Sequence, residues 1–163
     1  MFIRKAAQSD LDQIAQIESI CFPQGQAAGR EIFRDRLRTF PDHFMIMCDE
    51  YSNAAAFING FTTDRSDLTD EMYRSAYMHD ENGAWQMVFG LCTLPEYRQR
   101  GFAQRLLKEF IRQAGLQGRK GVVLTCKQQL TTYYEKFGFV NEGISSGSVI
   151  GGVQWYQMRL LLG

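Results

Sequence analysis

The stretch from Trp85 to Leu94 is almost entirely apolar and is bounded by Gly83 and Pro95, the pattern of a strand covered on both faces and so central to a sheet. Phe102 to Gln117 follows with helical spacing. Leu106, Leu107, Phe110, Ile111 and Ala114 fall along one side, and Gly118 stands just beyond the end, where a helix commonly stops. Val122 to Cys126 is then a second apolar strand. A strand, a glycine-containing turn, a helix and another strand form one right-handed crossover, which sets the two strands parallel.

The remaining elements arrange themselves around that unit. Phe2 to Lys5 reads as a short strand, and Ser9-Asp10 offers a cap for a helix with Leu11, Ile14, Ile17 and Ile20 or Cys21 on one face. Arg30 to Phe40 reads as a second helix, ended by Pro41-Asp42. Phe44 to Cys48 and Ala54 to Thr63 form an antiparallel pair across the polar residues 49 to 53. Asp64 to Gly83 is a polar surface excursion with a helical turn near Leu68 to Tyr77. Leu130 to Phe137 reads as a short helix, Phe139 to Glu142 begins a strand, and Gln154 to Leu161 is the last. The expected architecture is one α/β (α+β) domain over residues 1 to 163, a mixed sheet of about six or seven strands flanked by about four helices.

Composition narrows the function. Eighteen basic and eighteen acidic residues cancel, so no global field draws the chain to nucleic acid or to an anionic membrane. No run reaches the roughly 18 apolar residues of a membrane span. The four cysteines have no close pair and only two histidines accompany them, which argues against a metal site. They read as small core hydrophobes in a reduced, cytoplasmic compartment.

Charge gathers instead at one place. From Glu96 to Lys127 stand eight basic and two acidic residues, and this segment begins with the turn Leu94-Pro95-Glu96-Tyr97-Arg98-Gln99-Arg100-Gly101-Phe102-Ala103 that leads from the central strand into the helix. Successive backbone amides at such a turn form a nest, the helix dipole adds positive character, and glycine permits close approach of an oxyanion. That geometry suits a pyrophosphate.

These residues resemble the GNAT superfamily of acetyltransferases, whose Q/R-x-x-G-x-G/A motif is matched by Arg98, Gly101 and Ala103. Thr125-Cys126-Lys127 and Tyr133-Tyr134-Glu135-Lys136-Phe137-Gly138-Phe139 are similar to the family's later strand and its Y-x-K-x-G-F helix end. Cys21-Phe22-Pro23 is most similar to the arylalkylamine N-acetyltransferase group and its bacterial relatives. The resemblance covers roughly residues 1 to 161. It implies acetyl-coenzyme A as cosubstrate, bound in the gap beside the central strand. Leu91, Cys92 and Thr93 would offer backbone groups to the pantetheine amides, and Arg98, Gln99, Arg100, Gly101, Phe102 and Ala103 would hold the pyrophosphate. Tyr134 matches the tyrosine that protonates the departing thiolate.

The resemblance further implies transfer to a small primary amine by direct attack in a ternary complex. The alternatives left open are a protein N-terminal or lysine acetyltransferase and an inactive coenzyme A-binding protein of the same fold; a homodimer is also left open. The histidine pair that relays a proton in the arylalkylamine enzymes is replaced here by Met87 and Phe89, so the base is unassigned. His79, Glu18 and Glu31 are the groups left to consider. The excursion from residue 64 to 81 holds six acidic and two basic residues, which would draw a cationic acceptor if the carboxylates are free.

Overall fold

The nine strands of the computed structural model, which describes residues Met1–Gly163, fall into two sheets. Two expected strands are each interrupted. The stretch 54 to 63 breaks at Gly60-Phe61 into β3 (Ala54–Asn59) and β4 (Thr62–Thr63), and the stretch 85 to 94 breaks at Phe89 into β5 (Trp85–Val88) and β6 (Gly90–Thr93). With β1 (Phe2–Lys5), β2 (Phe44–Cys48), β7 (Gly121–Cys126), β8 (Val140–Ile144) and β9 (Tyr156–Leu161), this gives a four-stranded sheet ordered β1-β2-β3-β6 and a five-stranded sheet ordered β4-β5-β7-β9-β8. The mixed α/β class stands, with more strands than expected.

The chain groups into two units, residues 1–60 with 90–112 and residues 61–89 with 113–163. In the first, all sheet pairings are antiparallel. Helices α1 (Leu11–Cys21) and α2 (Arg30–Thr39) bury Leu11, Ile14, Ile17, Phe33 and Leu37 in one cluster with Phe44, Ile46, Phe57 and Cys92. Phe33, Phe44 and Phe57 form its centre, with ring centroids 5.6 to 6.1 Å apart. Between Ile20 and Cys21, burial selects Cys21, since Ile20 is half exposed.

In the second unit, β5 and β7 run parallel, pairing Trp85 with Gly121 through Val88 with Leu124, as the crossover requires. The connecting helix α4 (Phe102–Leu116) ends before Gly118, whose φ is +77°. The excursion carries a short helix α3 (Asp70–Arg74) and is anchored by Leu68 and Met72, both fully buried. Its acidic residues tie it down. Asp67 pairs with Arg159 at 2.6 Å, Asp70 accepts the Val149 N–H, Asp64 accepts the Ala84 N–H, and Glu81 faces Arg119 and His79. The expectation of a free acidic surface is therefore corrected: these carboxylates already hold arginines and backbone amides. Helix α5 (Thr131–Glu135) packs against β8 and β9.

No helix is long and apolar enough to cross a membrane.

The entry to α1 rests on Asp10, which accepts two hydrogen bonds from Arg4 at 2.7 and 2.8 Å and one from the Ala7 N–H at 2.8 Å. Arg4 first, and the Ala7 amide after it, hold this carboxyl below its ordinary range against the cost of burial. A depressed folded pKa contributes stability above the unfolded value near about 4 and loses it as pH falls through the folded value. Asp10→Ala is expected to cost about 1–3 kcal/mol at neutral pH, with a smaller deficit in acid. Urea unfolding at both pH values checks this; a pH-independent deficit would remove the ion pair from the explanation.

Candidate active site

Strand β6 is the last strand of its sheet, paired through Asn59 with Gly90 and Ala56 with Thr93. It is half exposed at Gly90, Leu91 and Thr93, contrary to the expectation of a strand buried on both faces. Its backbone has two different sides. The Leu94 N–H bonds to the Ala55 carbonyl, so by the alternation of an antiparallel ladder Cys92 and Gly90 also face β3, whereas Leu91 and Thr93 turn their N–H and C=O groups away from it. Of the three residues expected to meet the pantetheine amides, Leu91 presents a free backbone edge, Thr93 keeps its N–H clear of the ladder while its carbonyl accepts from the Arg98 and Cys21 side chains, and Cys92 faces β3. The Cys92 side chain instead enters the core.

Beyond β6 the chain makes a single 3-10 turn at Pro95–Tyr97 and then the phosphate-type turn. Gln99 has φ +64° and Gly101 has φ +77°. These left-handed positions, either side of Arg100, curl the amides into a concave nest. The helix ladder begins only with the Arg105 N–H to the Gly101 carbonyl, so the amides at the start of α4 lie outside it. Arg98, Gln99, Arg100 and Gly101 are exposed, Ala103 is half-buried and Phe102 is buried as the anchor of the helix start.

The turn is braced from below. Tyr97 stacks on Phe102 at 5.9 Å and donates to Asp49 at 2.7 Å, and the Arg100 guanidinium lies over the Tyr97 ring. The exposed Arg98 side chain curls back to the Thr93 carbonyl at 3.2 Å and lies 4.0 Å from the Cys21 sulfur. Cys21 packs against the core as expected and also lies beside Arg98. The hydrogen bond from Cys92, and then Arg98, lower its thiol to about 7, while burial pushes Cys92 well above its ordinary value. Not every basic residue of the segment serves an anion. Arg112 pairs with Glu109, and Arg119 is buried against the Glu81 and Gly83 carbonyls.

Tyr134 lies in the second unit, on α5, with its side chain buried. Its ring meets Tyr133 edge-on at 5.2 Å and Phe139 at 5.9 Å. Burial first, then Cys126, Tyr133 and Tyr73, push the phenol well above its ordinary pKa. It stays protonated throughout the neutral range, as a proton donor must. Met87 is fully buried, and Phe89 packs at 4.8 Å on Phe61 and 5.2 Å on Tyr73. Apolar groups thus stand at the two positions where a histidine relay was expected to be replaced. His79 does not replace them: its Nδ1 accepts the Thr62 N–H at 3.2 Å and its Nε2 lies 3.2 Å from Glu81. Glu31 is exposed and near Arg34.

These features fit a pyrophosphate at the turn and an amide-bearing chain along β6. A family profile described as the acetyltransferase (GNAT) domain matches residues 42–141. The chain belongs to the GNAT acetyltransferase family. Acetyl-coenzyme A-dependent N-acetyl transfer is the chemistry of that domain. Serotonin N-acetyltransferase of Mesocricetus auratus is 31% identical over 116 residues, which are 66% of this chain and 53% of that protein. The chain thus spans about half the length of that curated relative. Among solved structures, the loading GNATL domain of CurA from Lyngbya majuscula has a TM-score of 0.84 at 16% identity, over 98% of this chain and 96% of that one. The GphF GNAT-like decarboxylase in complex with isobutyryl-CoA has a TM-score of 0.84 at 20% identity, with full coverage of both. At these identities the structures speak for the fold.

Sequence reasoning missed Arg36 and Asn59, a buried pair 2.9 Å apart. The signal was present in Arg36, a charged residue flanked by the apolar positions Phe33 and Leu37 of α2.

The space around Gly101 is open, with nothing within 4 Å of an added Cβ, so the fold tolerates a side chain sterically while the positive φ does not. Gly101→Val is expected to leave a folded protein whose acetyl-coenzyme A affinity falls about tenfold or more, the equivalent of ~1.4 kcal/mol. Calorimetric titration checks it; unchanged affinity would move the pyrophosphate elsewhere.

Proposed function

We propose that this chain transfers acetyl from acetyl-coenzyme A to a small primary amine by direct attack within a ternary complex, with Tyr134 as the proton donor to sulfur. The observation that carries the reading is a buried phenol held protonated within the Y-x-K-x-G-F signature of a family that belongs to this chemistry. The small-amine acceptor is supported by the serotonin N-acetyltransferase similarity and by Cys21-Phe22-Pro23.

The residues have separable tasks. Leu91 and Thr93 supply backbone hydrogen bonds that orient the pantetheine arm as an added strand would be. The amides from Arg98 to Ala103 hold the pyrophosphate, and a β6 amide meets the negative charge that develops on the acetyl oxygen. Holding amine and thioester in line supplies most of the acceleration.

Tyr134 acts at bond cleavage. The C–N bond forms as the C–S bond breaks, and the sulfur leaves with the electron pair and takes the Tyr134 proton. A phenol whose pKa exceeds that of a thiol, ordinarily about 10 against about 8.5, does not complete that transfer downhill alone. The acylated nitrogen, now strongly acidic, returns its proton to Tyr134, directly or through water. The phenol therefore ends as it began.

Thiol release from acetyl-coenzyme A with 2-phenylethylamine, n-butylamine and a peptide with a free N-terminus tests the reading. A higher kcat/KM for either amine than for the peptide is expected. Preference for the peptide would make this a protein acetyltransferase, and stabilisation by acetyl-coenzyme A without turnover would make it a binding protein. Tyr134→Phe is expected to lower kcat by roughly one to four powers of ten while acetyl-coenzyme A affinity stays within about twofold. Equal turnover would remove Tyr134 from the mechanism.

A further inference from the structure

The position left without a base can be filled from within the first unit. Glu18, on α1, is buried. Its Oε2 accepts the Ala28 N–H at 2.9 Å, which ties the segment after α1 to the helix. Its Oε1 accepts only a long, weak bond from the Cys92 thiol at 4.0 Å, and a Cβ added to Gly90 would stand 3.7 Å from it.

The same added Cβ would stand 3.5 Å from the Asn59 amide nitrogen. That nitrogen is buried and has no hydrogen-bond partner, while the Asn59 oxygen is held by Arg36 at 2.9 Å. An unpaired buried donor is costly to keep, so it points to a group that would satisfy it. Over the α-carbon of Gly90, then, an acceptor on Glu18 and an orphaned donor on Asn59 face the same space. That space is kept clear because residue 90 has no side chain, and it sits where β6 begins.

We propose, resting on the acetyltransferase reading above, that Glu18 is the proton acceptor for the incoming amine, with Asn59 completing a polar pocket over Gly90. The amine arrives as an ammonium ion and gives one proton to Glu18 Oε1, which passes it to solvent. The neutral amine then attacks the thioester, and its second proton follows the Tyr134 route. One proton is released for each amide and thiol formed, so the step balances without a co-reactant.

The surroundings suit a base. Burial pushes the Glu18 carboxyl above its ordinary range, and the Ala28 amide and Arg36 temper that rise. A stronger base accepts an ammonium proton more readily. The elements packed on α1 include α2, β3 and β6. The titratable or charged side chains facing Glu18 from them are Arg36 of α2 and Cys92 of β6, and Cys21 lies one turn along α1; β3 contributes only the neutral Asn59.

Three variants test this with 2-phenylethylamine as acceptor. Glu18→Gln keeps an oxygen for the Ala28 N–H but cannot take up a proton. It is expected to lower kcat/KM at pH 7 by about 10²- to 10⁴-fold. The limb set by Glu18 should be replaced by a rise that continues toward the amine's own pKa of about 10, so the deficit should narrow as pH rises. Glu18→Asp should recover part of the activity. Gly90→Ala places a methyl group at ordinary contact distance from both polar atoms, so it should fold normally and still lose at least tenfold in kcat/KM. Acetyl-coenzyme A affinity, read by calorimetry, should be unchanged in all three. A Glu18→Gln enzyme with the wild-type pH profile, or one whose deficit is the same at every pH, would overturn the proposal while wild-type turnover keeps the acetyltransferase reading intact.

Discussion

Strand β6 hydrogen-bonds to a neighbour on one side only, and the candidate site depends on that inequality. Its Gly90, Cys92 and Leu94 positions are committed to β3, which fixes the strand in the sheet. Leu91 keeps its N–H and C=O unspent and Thr93 its N–H, and an unspent backbone group in a half-buried strand is a standing demand for a partner. An amide-bearing ligand would meet that demand with the geometry of an added strand. The turn beyond β6 extends the same logic from amides to anions, since Gln99 and Gly101 take left-handed conformations that leave further N–H groups outside any ladder.

What surrounds the strand maintains it. Phe33, Phe44 and Phe57 hold α1 and α2 on the four-stranded sheet, and through α1 they place Glu18 and Cys21 against β6. Cys21 and Arg98 meet at the Thr93 carbonyl, so the end of the strand is held by side chains while its middle remains open. In the second unit the polar excursion is fastened by the Asp67–Arg159 ion pair to β9 and by Leu68 and Met72 to the interior, and Tyr134 is enclosed by Tyr133 and Phe139. Burial there has a chemical consequence, because a phenol with a raised pKa stays protonated at neutral pH.

Much of this was legible in the residue order. The spacing of Leu11, Ile14 and Ile17, the helix from Phe102 and the apolar run to Cys126 follow from periodicity alone, and the turn at Arg98 to Ala103 follows from glycine and charge. Two things were not. The run from Trp85 to Leu94 carries no mark at Phe89 of the break that gives β6 an open side, since hydrophobicity reports burial and not which ladder a strand joins. Asp67 and Glu81 read as part of a free acidic field because their partners, Arg159 and Arg119, lie far along the chain. The convergence of Glu18, Asn59 and Gly90 is likewise a property of three separate segments.

Amide hydrogen exchange, followed residue by residue with and without acetyl-coenzyme A, tests the central claim that β6 offers its free edge to the cosubstrate. The Leu91 and Thr93 amides should exchange readily in the free protein and become protected on binding, together with amides between Gln99 and Gln104. The Cys92 amide, already bonded to β3, should be slow in both states. Protection that appears elsewhere in the chain while Leu91 and Thr93 exchange as before would contradict the account.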